Sequence, residues 1–447
     1  MTHPERLAPP EGSDLTALAA FASALFDGET AVPDAVRDQA RAVITDTVAA
    51  VLAGRTLPEV AALRDRLGAD GALAPVLVDG TAGVALELDE GCAPSRGHPG
   101  VHVVPAALRA AARRGSSGEA VLRAVIAGYE VAARLGHATT FRPLVHPHGT
   151  WGVCGAAAAV GLLSGLRGDR LANALGIAGA LAMATHYRTV YAGATARNLW
   201  SGLGNMAGVL AVEAAAAGFT GALDSPAGTL GDSLGTAYDP ARATADLGTR
   251  WFLLENYFKQ YPCCRHAHVA IDAYRAALAE AAVPADRLRT VTVHTYQRAA
   301  DAVGRIVRPE TPLQAKFSLP FMLAAVTEDG GLVRESFEPP HLERLARLPL
   351  AARVRVVADE ALTARLPERG ATVVLERDDG VAVRITRIGS HGDPGDPLTA
   401  AERTEKFNGL VAPVLGAAAA ERLHATLQDL DRLDRVPPVL DSVAGDA

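Results

Sequence analysis

The chain has 447 residues, 49% of them apolar but only 5% aromatic, and a formal charge of -7. That balance removes any electrostatic case for nucleic acid or an anionic membrane as a partner. The length exceeds one ordinary core and points to two domains.

The segment Met1-Thr2-His3-Pro4-Glu5-Arg6 has no apolar signal core. The Ala-rich runs are broken by Glu213 and by glycines, so none is long enough to span a bilayer. Four cysteines, two of them adjacent, do not form a disulfide framework. The expectation is a soluble cytoplasmic protein. Residues 1–13 are Pro-rich and read as a loose arm. Helical spacing follows over 14–26 and 33–53, with Ser13 or Asp14 as a cap and Pro33 in a first turn. Another helix covers about 58–67.

Residues 79–105 change character. After a helical start at Ala82–Leu88, the stretch 91–100 reads as loop and carries or adjoins Glu87, Asp89, Glu90, Arg96, His98 and His102. Pro105 reads as the start of the next helix, and Ser117 as the cap of one reaching about Leu135. A second polar loop, 141–151, holds His146-Pro147-His148-Gly149-Thr150. Small-residue helices follow over 152–163 and 169–183. A third polar stretch holds His186, Tyr187, Arg188, Tyr191 and Arg197, before a helix over 201–217.

The segment 256–272 is the most loaded: Lys259, Tyr261, Pro262, Cys263, Cys264, Arg265, His266 and His268. Pro262 forbids one uninterrupted helix, and a helix starts near Ala267. Cations on a loop feeding a helix N-terminus suit an anionic small molecule. Alternation at 291–295, 354–356, 373–376 and 381–385 marks strands, with Asp378-Asp379-Gly380 as a hairpin signal. Helices fill 314–329 and 340–348. Residues 392–397 are a linker, and 399–434 is helical. The layout is mainly α with an α/β lid: an all-helical domain from 1–266 and 391–447, and an α/β domain inserted at 267–390.

Of 43 basic residues only three are lysines, Lys259, Lys316 and Lys406. Where charge alone suffices this chain writes arginine, so a lysine can mark a need for an amine. His98 and His146, each held by a proline, suit general acid or base work near neutrality, against a capping or loop role for either alone. Zinc at Cys263, Cys264, His266 and His268 is disfavoured, because adjacent cysteines do not readily face one tetrahedral ion. Glu87, Asp89 and Glu90 abut His98 and read as acid/base or positioning groups, with Mg2+ binding or plain solvation as alternatives. No GxxxxGKS loop and no GxGxxG after a strand is present. The parts suit proton removal beside a carboxylate: cations to pin the acid, a base, and charge to steady an enolate. Arg197, Arg265, Lys259 and Lys316 are the clamp candidates, and His98, His146 or Lys259 the proton-transfer candidates.

These residues resemble the MmgE/PrpD family over nearly the whole chain. The marks are Glu87-Leu-Asp-Glu-Gly with Gly97-His-Pro-Gly, His146-Pro-His-Gly-Thr, Lys259-Gln-Tyr-Pro-Cys-Cys-Arg-His, Ala315-Lys-Phe-Ser-Leu-Pro and Gly392-Asp-Pro. The resemblance implies a homodimer with its site between a helical domain and a lid. It also implies work on small di- or tricarboxylates without metal or other cofactor. It places the family's acidic position on Glu87 or Asp89, its loop histidines on His98 and His146, and its lid-hinge lysine on Lys259. The site as a whole is read with catalytic roles on Asp89, His98, His146 and Lys259, and substrate contacts on Glu87, His148, Arg197, Arg265, His266 and Lys316. A lysine carried by some members falls on Arg197, which can clamp a carboxylate but not exchange a proton. The residues between Asp89 and His98 differ from the Asp-Asp-Thr pattern of the decarboxylases. The implied activity is a lyase of the 2-methylcitrate dehydratase type. An epimerase of the iminodisuccinate type and an idle or biosynthetic-pathway carboxylate binder are the alternatives.

Overall fold

A computed structural model describes residues 13–68, 70–282 and 287–441. The arm expected over 1–13 lies, Ser13 apart, outside them. The fold is mainly α with a smaller α/β part, built on two large apolar cores. One core draws on Leu15 through Phe258 and resumes from Leu398 to Leu440. The other runs from Tyr187 and Val190 through 261–383. Among the described residues no helix is long and apolar enough to cross a membrane.

The helical body opens with Asp14–Asp27, whose first turn is capped by Ser13 accepting from the Thr16 N–H. Asp34–Gly54 follows, with Pro33 just before its first turn. Its centre is small-residue contact. A Cβ at Gly128, on helix Gly118–Ala138, would meet the Gly155 carbonyl of helix Gly152–Leu163 at 2.6 Å. The two backbones therefore approach in a way that only glycine allows.

Several helix boundaries depart from the spacing, three of them around the site. The helix expected from Ala82 runs Leu73–Ala85 and has ended before Glu87. The helix expected from Pro105 begins at Pro99 and runs to Arg114 with Pro105 inside, so His102 is helical. Pro105 offers no N–H to the Val101 carbonyl. Asn205 fills the gap: its Nδ2 donates to the Val101 carbonyl at 2.9 Å, and its Oδ1 accepts the Ala106 N–H at 3.2 Å. The helix expected from Ser201 starts at Ala196, which puts Arg197 in its first turn.

In the α/β part the sheet order is Val354–Ala358, Leu288–Thr295, Gly370–Arg377, Ala382–Ile388. The first pair is parallel, with Val291 opposite Val354, and the others are antiparallel. The expected hairpin forms at Asp378-Asp379-Gly380, with Gly380 in the left-handed region at φ 87°. Helix Arg265–Ala281 packs on this sheet and starts two residues ahead of expectation. The helix expected over 314–329 is broken at 316–318, leaving Pro312–Ala315 and Leu319–Asp329. The stretch 399–434 likewise divides at Gly416 into Ala400–Leu415 and Ala417–Gln428.

Candidate active site

A two-residue ladder assembles the site. Gly91 and Cys92 pair antiparallel with Tyr257 and Asn256, tying the acidic turn after helix Leu73–Ala85 to the lysine segment. Gly91 has no Cβ because the Tyr257 hydroxyl occupies that space. Lys259 is thereby fully buried between two carboxylates, 3.1 Å from Glu87 Oε2 and 3.0 Å from Asp89 Oδ1. Arg197 closes on the other oxygen of Glu87.

His98 supplies the opening onto the cleft. Its Nδ1 lies 2.6 Å from the Glu90 carbonyl and 3.0 Å from Asp89 Oδ2. Both are acceptors, so Nδ1 carries the proton and Nε2 keeps a lone pair. Burial pushes the Asp89 carboxyl up, but the His98 ring that donates to it, the Lys259 ammonium and the Arg197 guanidinium outweigh burial and hold the group below the usual carboxylate range. Burial works against charge on Lys259, yet Asp89 and Glu87 raise it above its ordinary value. Lys259 stays an ammonium.

The other loop histidines are neutral. His148 donates its backbone N–H to His146 Nδ1 at 3.2 Å, so His146 carries its proton on Nε2. Burial, then the Arg197 charge, lower the His146 pKa well below its ordinary value. His102 donates from Nδ1 to the His98 carbonyl at 2.9 Å and accepts the Gly149 N–H at Nε2. Burial takes His102 down to about 4. His148 sits edge-on among these rings, with centroids 4.7 Å from His146 and 5.1 Å from His98. Neither of its nitrogens has a hydrogen-bond partner among the described residues.

The cavity that these groups face is small, about 40 Å3, and both cores line it. Glu87, His98, His146 and Arg197 come from the helical side, and Arg265, His266, Phe317 and Arg369 from the other. Arg265 is partly committed: it donates to Asp393 Oδ1 at 2.5 Å and its Nη1 lies 3.0 Å from His268 Nδ1. His266 Nδ1 and the Tyr296 hydroxyl are 2.6 Å apart. Larger cavities lie elsewhere, among them one of about 370 Å3 beside Asp46 and one of about 440 Å3 beside Lys316. Neither gathers so many titratable groups, and convergence outweighs size in choosing the site.

Of the ten residues singled out from sequence, six line the small cleft: Glu87, His98, His146, Arg197, Arg265 and His266. Asp89 and Lys259 stand directly behind it, and His148 is enclosed in the histidine stack. Lys316 points the other way: it donates to the Ala85 carbonyl at 2.8 Å and faces the 440 Å3 cavity. Burial brings Lys316 down to about 8, so Lys316 rather than Lys259 is the amine that titrates near neutrality. Burial raises the thiols of Cys263 and Cys264, the latter to about 11, which makes them inert.

Asp89, His98 and His148 bring three ligand-type atoms within 4.8 Å of one another. The Lys259 ammonium, 3.0 Å from Asp89, and Arg197 make the surroundings repulsive to a further cation. Arg369 was not legible in the sequence. Its guanidinium lies 5.2 Å over the Tyr257 ring, and Nη1 has no partner among the described residues. One arginine among forty basic side chains without a lysine's rarity carries no local signal. Tyr257 and Phe317, apolar-looking in sequence, were missed for the same reason.

The chain is thus a helical body carrying an α/β part, with a histidine–carboxylate–lysine cluster and arginines at their junction. Models of the MmgE/PrpD N-terminal domain and C-terminal domain match residues 71–233 and 261–432. The chain belongs to the MmgE/PrpD family. It is 27% identical over 392 residues to cis-aconitate decarboxylase of Aspergillus terreus, an alignment covering 80% of this chain and 78% of that protein. Family and relative together support a lyase type of enzyme.

Proposed function

We propose that this protein is a cofactor-independent lyase that removes a proton α to a carboxylate of a small hydroxy-di- or tricarboxylate, as a dehydratase does. The observation that carries the reading is the Asp89–His98 pair: Nδ1 is held by carboxylate and carbonyl while Nε2 faces a cleft flanked by arginines. In this reading the helical domain comprises 1–266 and 391–447, the lid comprises 267–390, and two copies form a homodimer.

Arg369 pins a substrate carboxylate from the lid, Arg265 from the boundary where the lid begins, and Arg197 from the helical side. His98 Nε2 takes the α proton, and Asp89 steadies the imidazolium that forms. The electron pair of the broken C–H bond becomes the new C=C bond. The imidazolium returns its proton to the β-hydroxyl, which departs as water, and the enzyme ends as it began. Lys259 remains charged and acts through the field it sets on Glu87 and Asp89, not as the base. A cavity of about 40 Å3 holds little more than one water, whose share of liquid volume is roughly 30 Å3. Substrate entry therefore requires the two cores to part at this junction.

Epimerisation shares the first step. It is favoured where no group returns the proton to a leaving hydroxyl, and Arg197, fixed in charge, offers none. Incubation with hydroxy-acids in D2O separates the outcomes. Dehydration gives an absorbing double bond, whereas epimerisation gives deuterium and racemisation without one. A binder alone gives neither, and that result would sink the enzymatic reading.

A further inference from the structure

All three lysines of the chain converge on one turn. Lys259 brackets the Glu87 and Asp89 carboxylates. Lys316, from the segment between Pro312–Ala315 and Leu319–Asp329, donates to the Ala85 carbonyl at 2.8 Å. Lys406, from helix Ala400–Leu415, donates to the Leu88 carbonyl at 2.9 Å and to Asp46 Oδ1 at 2.5 Å. The three come from sites 57 or more residues apart in sequence and meet within the five residues 85–89.

That turn needs holding. Helix Leu73–Ala85 ends there, leaving carbonyls without intrahelical donors. Glu87 lies in the left-handed region at φ 56°, a conformation that strains a residue carrying a Cβ. Such a backbone persists only where its neighbours over-determine it. An ammonium suits a single buried carbonyl, because it is compact and can turn its three N–H groups, whereas the planar arginine fork demands a paired acceptor.

We propose that Lys316 and Lys406 are positioning residues that hold the Ala85 and Leu88 carbonyls, so that the strained turn presents Glu87 and Asp89 to Lys259. Lys316 belongs to the second core and the turn to the first, so the carboxylate geometry depends on how the two cores are seated. The assignment rests on the functional reading above only for its catalytic consequence.

Crystal structures and kinetics of Lys316→Met and Lys406→Met test it. Because Lys406→Met strands the Asp46 carboxylate, whose side chain is only 8% exposed, the pair Asp46→Asn/Lys406→Met is made alongside. The expected structures show Glu87 relaxed out of the left-handed region and Asp89 drawn beyond hydrogen-bond reach of Lys259. The expected kinetics show kcat lower by about 10- to 100-fold with KM changed by less than about threefold, as for an ångström-scale misplacement. An unmoved turn in the folded variants overturns the proposal. So does a loss of activity that merely follows the unfolded fraction in a melt. If the wild-type protein exchanges no carboxylic acid at all, the functional reading fails alone, and the crystal structures still decide the clamp.

Discussion

Two buried ion-pair clusters stand side by side in this molecule and differ in how fully they are satisfied. Glu130 and Arg134 are both fully buried on one helix. Arg134 donates to the Ala245 and Arg250 carbonyls at 2.6 and 2.8 Å and lies 5.3 Å over the Phe252 ring. Glu130 accepts the Leu253 N–H at 3.1 Å. The pair stitches helix Gly118–Ala138 to the irregular chain at 243–253 and offers a ligand nothing. Around Lys259 the charges are as deep, but His148, Arg197 Nε, Arg265 Nε and Arg369 Nη1 lack partners among the described residues. Unmet hydrogen-bonding capacity beside a cavity is costly to keep, and it separates a site from a staple.

The sharpest way to break the comparison is Lys259→Ala. Turnover is expected to fall by on the order of 10³ or more, while the protein still folds. Glu87 keeps Arg197 and Asp89 keeps His98, so neither carboxylate is left unpaired. Near-normal turnover by a deuterium-exchange assay would remove Lys259 from the mechanism. Next in size is His98→Gln, for which kcat should fall by about 10²- to 10⁴-fold with KM little changed. An equal rise in KM would assign His98 to binding instead.

Arg134→Met tests the other cluster. It leaves a buried carboxylate unpaired, so unfolding free energy should fall by about 3–5 kcal/mol, read by urea titration. Turnover per folded molecule should not change. A drop in kcat without loss of stability would mean that the two clusters are not separable in kind.

The sequence made part of this contrast readable. Lysine scarcity and two proline-held histidines led to Lys259, His98 and His146, and helical spacing led to most of the body. Direction was not readable. Lys316 has the same rarity as Lys259, yet its ammonium turns to a carbonyl on the far side of the acidic turn. His146 and His148 are two residues apart, but only His146 reaches the cleft. Pro105 reads as a helix start because its remedy, Asn205, is a hundred residues away. Arg369 gave no signal because its environment is made by Tyr257 and Tyr296 from other segments.

The smallest expected effect concerns Glu90, which belongs to both clusters' logic. It is wholly buried beside the site, yet fully used: it accepts the Gly100 N–H at 2.6 Å and the Tyr129 hydroxyl at 2.9 Å. Burial raises its carboxyl from 4.5 to about 8, against the Gly100 hydrogen bond. Folded protein therefore keeps a proton that the unfolded chain releases above about pH 4.5. The stability so contributed is present below pH 4.5 and lost as pH rises through about 8. Glu130, raised to about 7 by burial, adds in the same direction. Glu90→Gln imitates the protonated acid at every pH, so denaturant midpoints between pH 5 and 8 should decline less steeply than in wild type. The residual slope combines Glu130 with the buried histidines, whose lowered pKa values work the other way below about pH 6.5. A variant as steep as wild type would show that Glu90 is ionised in the fold, and that a charge sits where the structure places a helix-capping acid.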